Sequence, residues 1–453
     1  MKQDLLYQLR QGQPLSTRQQ TALIVKLSLP AIMAQLSHII MQYIDASMVG
    51  VLGADRSAAI GLIASTTWLF NGLCTAAATG FTVQVAQRIG AGEERRARDL
   101  MRLGLWVIAG IGLLFGGIGC AIAQRLPLWL GGQGEMVTDA FWYFLIYALS
   151  LPIAQLAHTA GGMLQASGNM RLPSLLHVLM CGLDIGFNYL FIFVWDMGVA
   201  GAALGTAAAQ LVIALPMFYF LLARSPMLHL RRGEPLKITK EDIDQGWRIA
   251  WPVALQQAVT NGAQIVSTSI VAPLGNIAIA ANSFAITAES LAYMPAFGIA
   301  SAATTLIGQS VGARRLDMTR RLGRLTVLLG TGLMALVGVV LYAAAPLMMG
   351  LLSPDPQVVA LGVQVLRIEA FAEPLYGASI VATGVFRGAG DTAVPSLFNF
   401  ISMWAVRLPL AALLAPQIGL RGVWLAMAIE LTVRGILFLV RLFGGRWHRR
   451  IIA

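Results

Sequence analysis

The chain is 453 residues long, 57% hydrophobic and 12% charged, with a mean hydropathy of +0.71 and a net charge of +11. Soluble domains carry about 25% charge, so the composition excludes a soluble globular protein and describes one dissolved in a lipid bilayer. The basic residues fall in short loops between apolar runs, which excludes a nucleic-acid partner and leaves topology as the use of the charge. The runs are about 20 residues or longer and do not alternate in polarity, so they are helices rather than barrel strands.

Residues 1–21 are polar and are expected to form a cytoplasmic N-terminal segment without a cleavable signal peptide. Twelve spans follow, at about 22–49, 58–85, 100–123, 138–165, 172–195, 199–223, 245–271, 278–307, 322–350, 357–385, 394–416 and 420–443. Lys2, Arg10 and Arg18 precede span one. Arg95, Arg96, Arg98 and Arg102 follow span two, and Arg171 follows span four. Arg224, Arg231, Arg232, Lys237 and Lys240 follow span six; Arg314, Arg315, Arg320 and Arg321 follow span eight. Arg387 follows span ten, and Arg446, Arg449 and Arg450 follow span twelve. The opposite loops hold little beyond Arg56, Arg125, Arg367 and Arg421, so both termini are expected in the cytoplasm. Residues 224–244 are the long polar stretch, with Pro, Gly and mixed charge. They read as a cytoplasmic linker between an N-lobe (22–223) and a C-lobe (245–443), with a basic cytoplasmic tail at 444–453. Cys74, Cys120 and Cys181 lie in apolar runs without metal spacing and read as small buried thiols.

The lobes repeat at a constant offset of 222 residues. Pro30 pairs with Pro252, Leu52-Gly53 with Leu274-Gly275, Gly90-Ala91 with Gly312-Ala313, Pro152 with Pro374, and Pro173-Ser174-Leu175 with Pro395-Ser396-Leu397. Gly198 and Gly201 then pair with Gly419 and Gly422 at 221, so one residue is lost near span eleven. Six spans per repeat is an even number, so the repeats are parallel, and a substrate path is expected between them.

Within span one, Gln35, His38, Gln42 and Asp45 share one helical face. Their repeat partners Gln257, Thr260, Gln264 and Ser267 are polar too. We read the two stripes as walls of a water-accessible cavity. Asp45 either belongs to that face or reaches an outer interface. Asp184 and Asn188 in span five are one turn apart; they can take a proton or offer oxygens to a small hard cation, or simply bond two helices. Thr206 adds a hydroxyl in span six. His38 is either a lining group or a relay that titrates near neutral pH. Glu289 and Glu373 are further acids of the expected cavity wall, Glu373 facing Arg407, whereas Glu369 is expected to be solvated and Glu430–Arg434 to be a structural pair. Pro30, Pro252, Pro152, Pro374 and Pro295 sit inside spans as kinks or hinges. Among the aromatics, Trp68, Tyr147, Phe284, Tyr293, Tyr376 and Trp404 are of a kind that stacks on an apolar or cationic ligand. No nucleotide, zinc or triad motif is present, so neither an enzyme nor a cofactor is expected.

Tyr43-Ile-Asp45-Ala-Ser-Met-Val-Gly50, Val199-Ala-Gly-Ala-Ala203, Glu289-Ser-Leu-Ala-Tyr-Met-Pro295, Ala302-Ala-Thr-Thr-Leu-Ile-Gly-Gln309 and Phe386-Arg-Gly-Ala-Gly-Asp391-Thr resemble the multidrug and toxic compound extrusion (MATE) transporters, over about residues 22–443. The resemblance implies an all-α integral membrane protein with twelve spans in two V-shaped six-helix bundles. It also implies export of organic, often cationic, compounds against inward H+ or Na+, from the inner membrane of a bacterial-type cell. By the same resemblance, a cation site is built on Asp45 in span one with an amide–acid pair in span five, here in the reversed order Asp184-x-x-x-Asn188. Thr206 falls at the span-six hydroxyl and Pro30 at the bending proline. The acids that one branch carries in spans seven and ten are replaced by Thr260 and Tyr376, so coupling is expected in the N-lobe of a monomer that uses H+ or Na+ and no cofactor. The alternative is a flippase for a lipid-linked saccharide, of related fold, whose cavity would be wider and more basic; a channel or membrane-embedded enzyme ranks below both.

Overall fold

The computed structural model describes residues 5–231, 233–445 and 447, with the side chains of residues 54 and 55 outside the description. Lys2, Arg232, Arg446, Arg449 and Arg450 of the expected cytoplasmic charge, and most of the 444–453 tail, lie outside the described residues. The described residues are helical, with no strand among them. In chain order the helices are α1 (Leu5–Arg10), α2 (Thr17–Gly50), α3 (Ala54–Gly90), α4 (Glu94–Ile122), α5 (Leu126–Trp129), α6 (Glu135–Ala166), α7 (Arg171–Tyr189) and α8 (Gly198–Tyr219). The second series is α9 (Lys240–Val271), α10 (Asn276–Gly312), α11 (Leu316–Leu352), α12 (Pro356–Ala370), α13 (Glu373–Gly388), α14 (Ala393–Ile401), α15 (Leu408–Ile418) and α16 (Leu420–Gly444). Five-residue π-helical turns extend α7 through Val194 and α8 through Arg224, and a π-helical turn over Ser402–Arg407 joins α14 to α15.

With α14, its π-helical turn and α15 taken as one continuous helix, ten helices among the described residues are long and apolar enough to cross a bilayer. The other two of the twelve spans differ for physical reasons. Span seven, α9, has the length but carries Gln256, Gln257, Thr260, Asn261, Gln264 and Ser267. Span ten is broken: α12 and α13 meet at Phe371-Ala372, and Pro374 sits in the first turn of α13. The expectation of a Pro374 kink inside a continuous helix is thus corrected. Its repeat partner Pro152 lies within the unbroken α6. Proline is tolerated in a first turn, where its missing N–H has no partner to lose.

The repeat persists in the backbone. Gly53 and Gly275 enter α3 and α10 at φ +116° and +95°, and Gly198 and Gly419 enter α8 and α16 at +56° and +64°. These φ values cost a residue with a Cβ but not glycine, so the same turns recur in both halves.

Two compact units emerge: Met1–Gln35 with Leu255–Ala453, and Leu36–Ala254. The dividing points fall inside helices, five residues after Pro30 in α2 and two after Pro252 in α9. In the first unit Gly298 of α10 lets the α2 backbone approach next to Pro30: a Cβ there would stand 2.6 Å from Ile32 Cα. Gly384 of α13 likewise meets Ala300 of α10, where a Cβ would lie 2.7 Å from its Cα, and Thr304 Oγ1 donates to the Gly384 carbonyl at 3.0 Å. The small-residue stretch around 300–309 and the glycines around 384–391 are therefore helix-packing surfaces.

In the second unit the polar segment after α8 is tied down. Arg98 Nε and Nη2 donate to both carboxylate oxygens of Glu234 at 2.9 and 2.7 Å, and Arg102 donates to the Glu234 carbonyl at 3.1 Å. The Arg98 guanidinium holds the Glu234 carboxyl below its usual range. Thr239 and Asp242 exchange side-chain and backbone bonds at the start of α9, which reaches back to Lys240 into the stretch read as linker.

Candidate functional site

Three helices of the second unit bring the N-lobe residues together. Asn188 lies one turn beyond Asp184 on α7, so both point the same way. The Asn188 amide donates to Asp45 Oδ1 on α2 at 2.8 Å and to Asp184 Oδ2 at 3.1 Å. Asp45 and the Thr206 side chain on α8 both lie close enough to Asp184 to interact with it electrostatically. Asp184 and Asn188 are fully buried, while Asp45 is half-buried.

Close packing of α8 on α7 makes this possible. Gly205 offers no side chain: a Cβ there would stand 2.9 Å from the Asn188 backbone nitrogen and closer still to the Asn188 amide oxygen. The Cys181 thiol, a turn before Asp184, donates to the Ser37 carbonyl at 2.9 Å and fixes α7 on α2. Asp184 Oδ1 and Asn188 Oδ1 are buried with no donor from the protein. These lone pairs, with Asp45, can accept a proton or ligate a hard cation such as Na+.

Two residues absent from the sequence reading join this region. His158 on α6 and His177 on α7 lie close enough to His38 to interact electrostatically. His177 Nδ1 is 2.7 Å from the Pro173 carbonyl; it carries the proton and donates, which leaves Nε2 for another partner. His38 bonds to Gln42 at 3.3 Å. The signal was available: a histidine in a span is as unusual as an acid. Tyr143 of α6 also lies near both Asp45 and Asp184.

The second polar stripe is in the first unit. Gln257, Thr260 and Ser267 are half-buried and Gln264 is exposed. Gln35, also half-buried, belongs to this unit rather than to that of His38, Gln42 and Asp45. α9 is fixed by Ser396 Oγ donating to Gln256 at 3.1 Å and by the Trp404 indole donating to the Val259 carbonyl at 3.3 Å.

The acids of this unit are placed differently from expectation. Glu289 and Glu373 do not line an accessible wall; they are 6% and 0% exposed. Glu369, expected to be solvated, is 0% exposed, as is Glu430. The cause is a buried charge cluster between α10, α12, α13 and α16. Arg434 pairs with Glu430 at 3.0 Å, donates to Asn399 at 3.2 Å and lies 5.5 Å over the Tyr376 ring. The expected Glu430–Arg434 pair is present. The expected Glu373–Arg407 pair is not: Arg407 contacts Met427 Sδ at 2.7 Å, and both Glu373 oxygens lack a donor, as do those of Glu369.

The MatE family profile matches residues 30–190 and again 252–413, two matches whose starts are 222 apart. The probable multidrug resistance protein NorM of Thermotoga maritima is 26% identical over 437 residues, covering 95% of this chain and 93% of its own. The protein of the same description from Pseudomonas aeruginosa is 31% identical over 435 residues, covering 89% and 85%. A crystal structure of a Vibrio cholerae MATE transporter superposes with a TM-score of 0.88 at 21% identity, covering 98% and 99% of the two chains. With two matched halves, twelve spans and an acid–amide–acid site on α2 and α7, the chain belongs to the MatE family of membrane transporters and is not an enzyme.

Proposed function

We propose that this transporter is a secondary antiporter that exports organic, cationic or amphiphilic compounds in exchange for H+ or Na+. The observation that carries the reading is the Asn188 amide held between Asp45 and Asp184. Two ionised carboxylates at this range repel, and a proton or cation shared with the amide relieves the repulsion. The site therefore has two charge states with different local bonding. Alternating access needs an occupant that favours one facing state over the other. In the loaded state Asp45 and Asp184 are neutralised and bonded to each other; in the unloaded state a net negative charge attracts a cationic substrate. The multidrug resistance descriptions of the relatives support an organic substrate class. Pro30 and Pro252, each shortly before the point where its helix passes from one unit to the other, are the hinges of this reading. The stripes Gln35–His38–Gln42 and Gln257–Thr260–Gln264–Ser267 serve as cavity walls. Arg95, Arg96, Arg314, Arg315 and Arg321 on one set of loops support cytoplasmic termini in an inner membrane.

The test is substrate efflux from proteoliposomes under an imposed pH gradient and, separately, a sodium gradient. Wild type is expected to respond to one of them, and Asp45→Asn to insert and bind but lose the response. Undiminished gradient-driven transport by Asp45→Asn would defeat the assignment.

A further inference from the structure

Arg367 is a charge in the part of span ten nearest the loops that hold few basic residues, with no acid within ion-pair distance among the described residues. It lies eleven residues into α12, about 16 Å along the helix. Its side chain opens into a groove of about 510 Å³ that α11, α12 and α16 form within the first unit. The rest of the lining is mostly apolar and includes Phe371, which is 77% exposed, Leu425 and Ile429. The guanidinium stands 4.9 Å over the Tyr342 ring, and its Nε donates to the Tyr342 carbonyl at 3.4 Å. Neither Nη has a partner among the described residues, and no carboxylate there lies within ion-pair distance. Glu369, two residues on, is fully buried on another face of the helix.

An arginine within a span is costly unless it is paired or reaches the polar interface. The fold does not require it, because the repeat partners of Arg367 and Tyr342 are Leu145, in the unbroken α6, and Cys120. What distinguishes the second repeat is the break at Phe371-Ala372, which the groove adjoins. A planar donor fork above an apolar trough matches an amphiphile with an anionic head, since guanidinium pairs with phosphate in bidentate fashion. We propose that the groove binds an anionic phospholipid, its phosphodiester on Arg367 and an acyl chain along Phe371 and Ile429, bracing the α12–α13 break. This site is independent of the transport reading.

The test uses the full chain purified in neutral detergent, with phosphatidylglycerol, phosphatidylcholine or inorganic phosphate added. Retained lipid is counted by native mass spectrometry and the unfolding midpoint is followed. Phosphatidylglycerol is expected to be retained near one per chain and to raise the midpoint. Phosphatidylcholine, whose own ammonium competes for its phosphate, should be retained more weakly, and inorganic phosphate should do nothing. Arg367→Leu, which copies the first repeat, should lower phosphatidylglycerol retention at least tenfold and abolish the shift. Arg367→Lys should retain an intermediate amount, and Leu425→Trp, which fills the trough but keeps the charge, should also lose the lipid. Equal retention by Arg367→Leu and wild type would overturn the proposal, as would a shift produced by inorganic phosphate alone.

Discussion

Gly205→Ala tests whether the close approach of α8 to α7 builds the acid–amide–acid site. The added Cβ would stand 2.9 Å from the Asn188 backbone nitrogen and 3.0 Å from its Cγ. Either α8 moves away, which costs about 1–3 kcal/mol as overpacking does, or the Asn188 amide turns and gives up its bonds at 2.8 and 3.1 Å. The Asn188–Asp45 bond joins α7 to α2, and such interhelical bonds in membranes contribute roughly 0.6–1.7 kcal/mol; the Asn188–Asp184 bond lies within α7 and adds to the loss. Either route is expected to cost about 1–3 kcal/mol, read as a lower unfolding midpoint in detergent together with loss of gradient-driven efflux. Gly182→Ala and Gly186→Ala on α7 are the controls, because a Cβ at either meets nothing within 4 Å. If Gly205→Ala matches these controls in both assays, the packing account of the site is wrong.

Arg434→Met leaves Glu430 buried and uncompensated and should cost about 3–5 kcal/mol of stability, while adding Glu430→Gln should recover much of it; equal unfolding midpoints for the single and double variants would contradict this. Pro30→Ala should restore a backbone donor within α2 and slow transport more than substrate binding, a split read by comparing efflux rates with binding affinity. The Arg98–Glu234 clamp gives a pH dependence. Glu234 titrates below its ordinary range when clamped, so its contribution is present above the unfolded-state value and is lost as pH falls through the clamped one. Proteolysis of the 225–239 segment should therefore accelerate below the ordinary glutamate range, and in Glu234→Gln it should be fast at neutral pH; indifference to both changes would count against the clamp.

Span number and repeat were legible because hydrocarbon forces long apolar runs, and because a duplicated chain keeps its turn glycines and prolines at one offset. The Asp184–Asn188 pair was legible because helical spacing alone aligns residues four apart. Their union with Asp45 rested on the resemblance, since Asn188 and Asp45 are 143 residues apart and no local rule connects them. Gly205 passed unnoticed for the same reason: its role is an absence of side chain against a distant helix. The paired prolines Pro152 and Pro374 illustrate a second limit, because one residue type at one repeat position sits inside a helix in α6 and opens a new helix in α13. The placement of Glu369 followed loop proximity in the sequence, whereas packing of α12 against α10 and α16 decides its burial.

The most direct test counts protons. Detergent-solubilised protein in weakly buffered solution is given a transported cationic substrate while pH is recorded, without and then with sodium. If Asp45 and Asp184 share an exchangeable proton, wild type should release protons on binding, and Asp45→Asn with Asp184→Asn, given enough substrate to saturate its weaker binding, should release none. Proton release by the double variant equal to wild type would place coupling elsewhere. Sodium-dependent binding without proton release, abolished by the same variants, would keep the site and identify Na+ as its occupant.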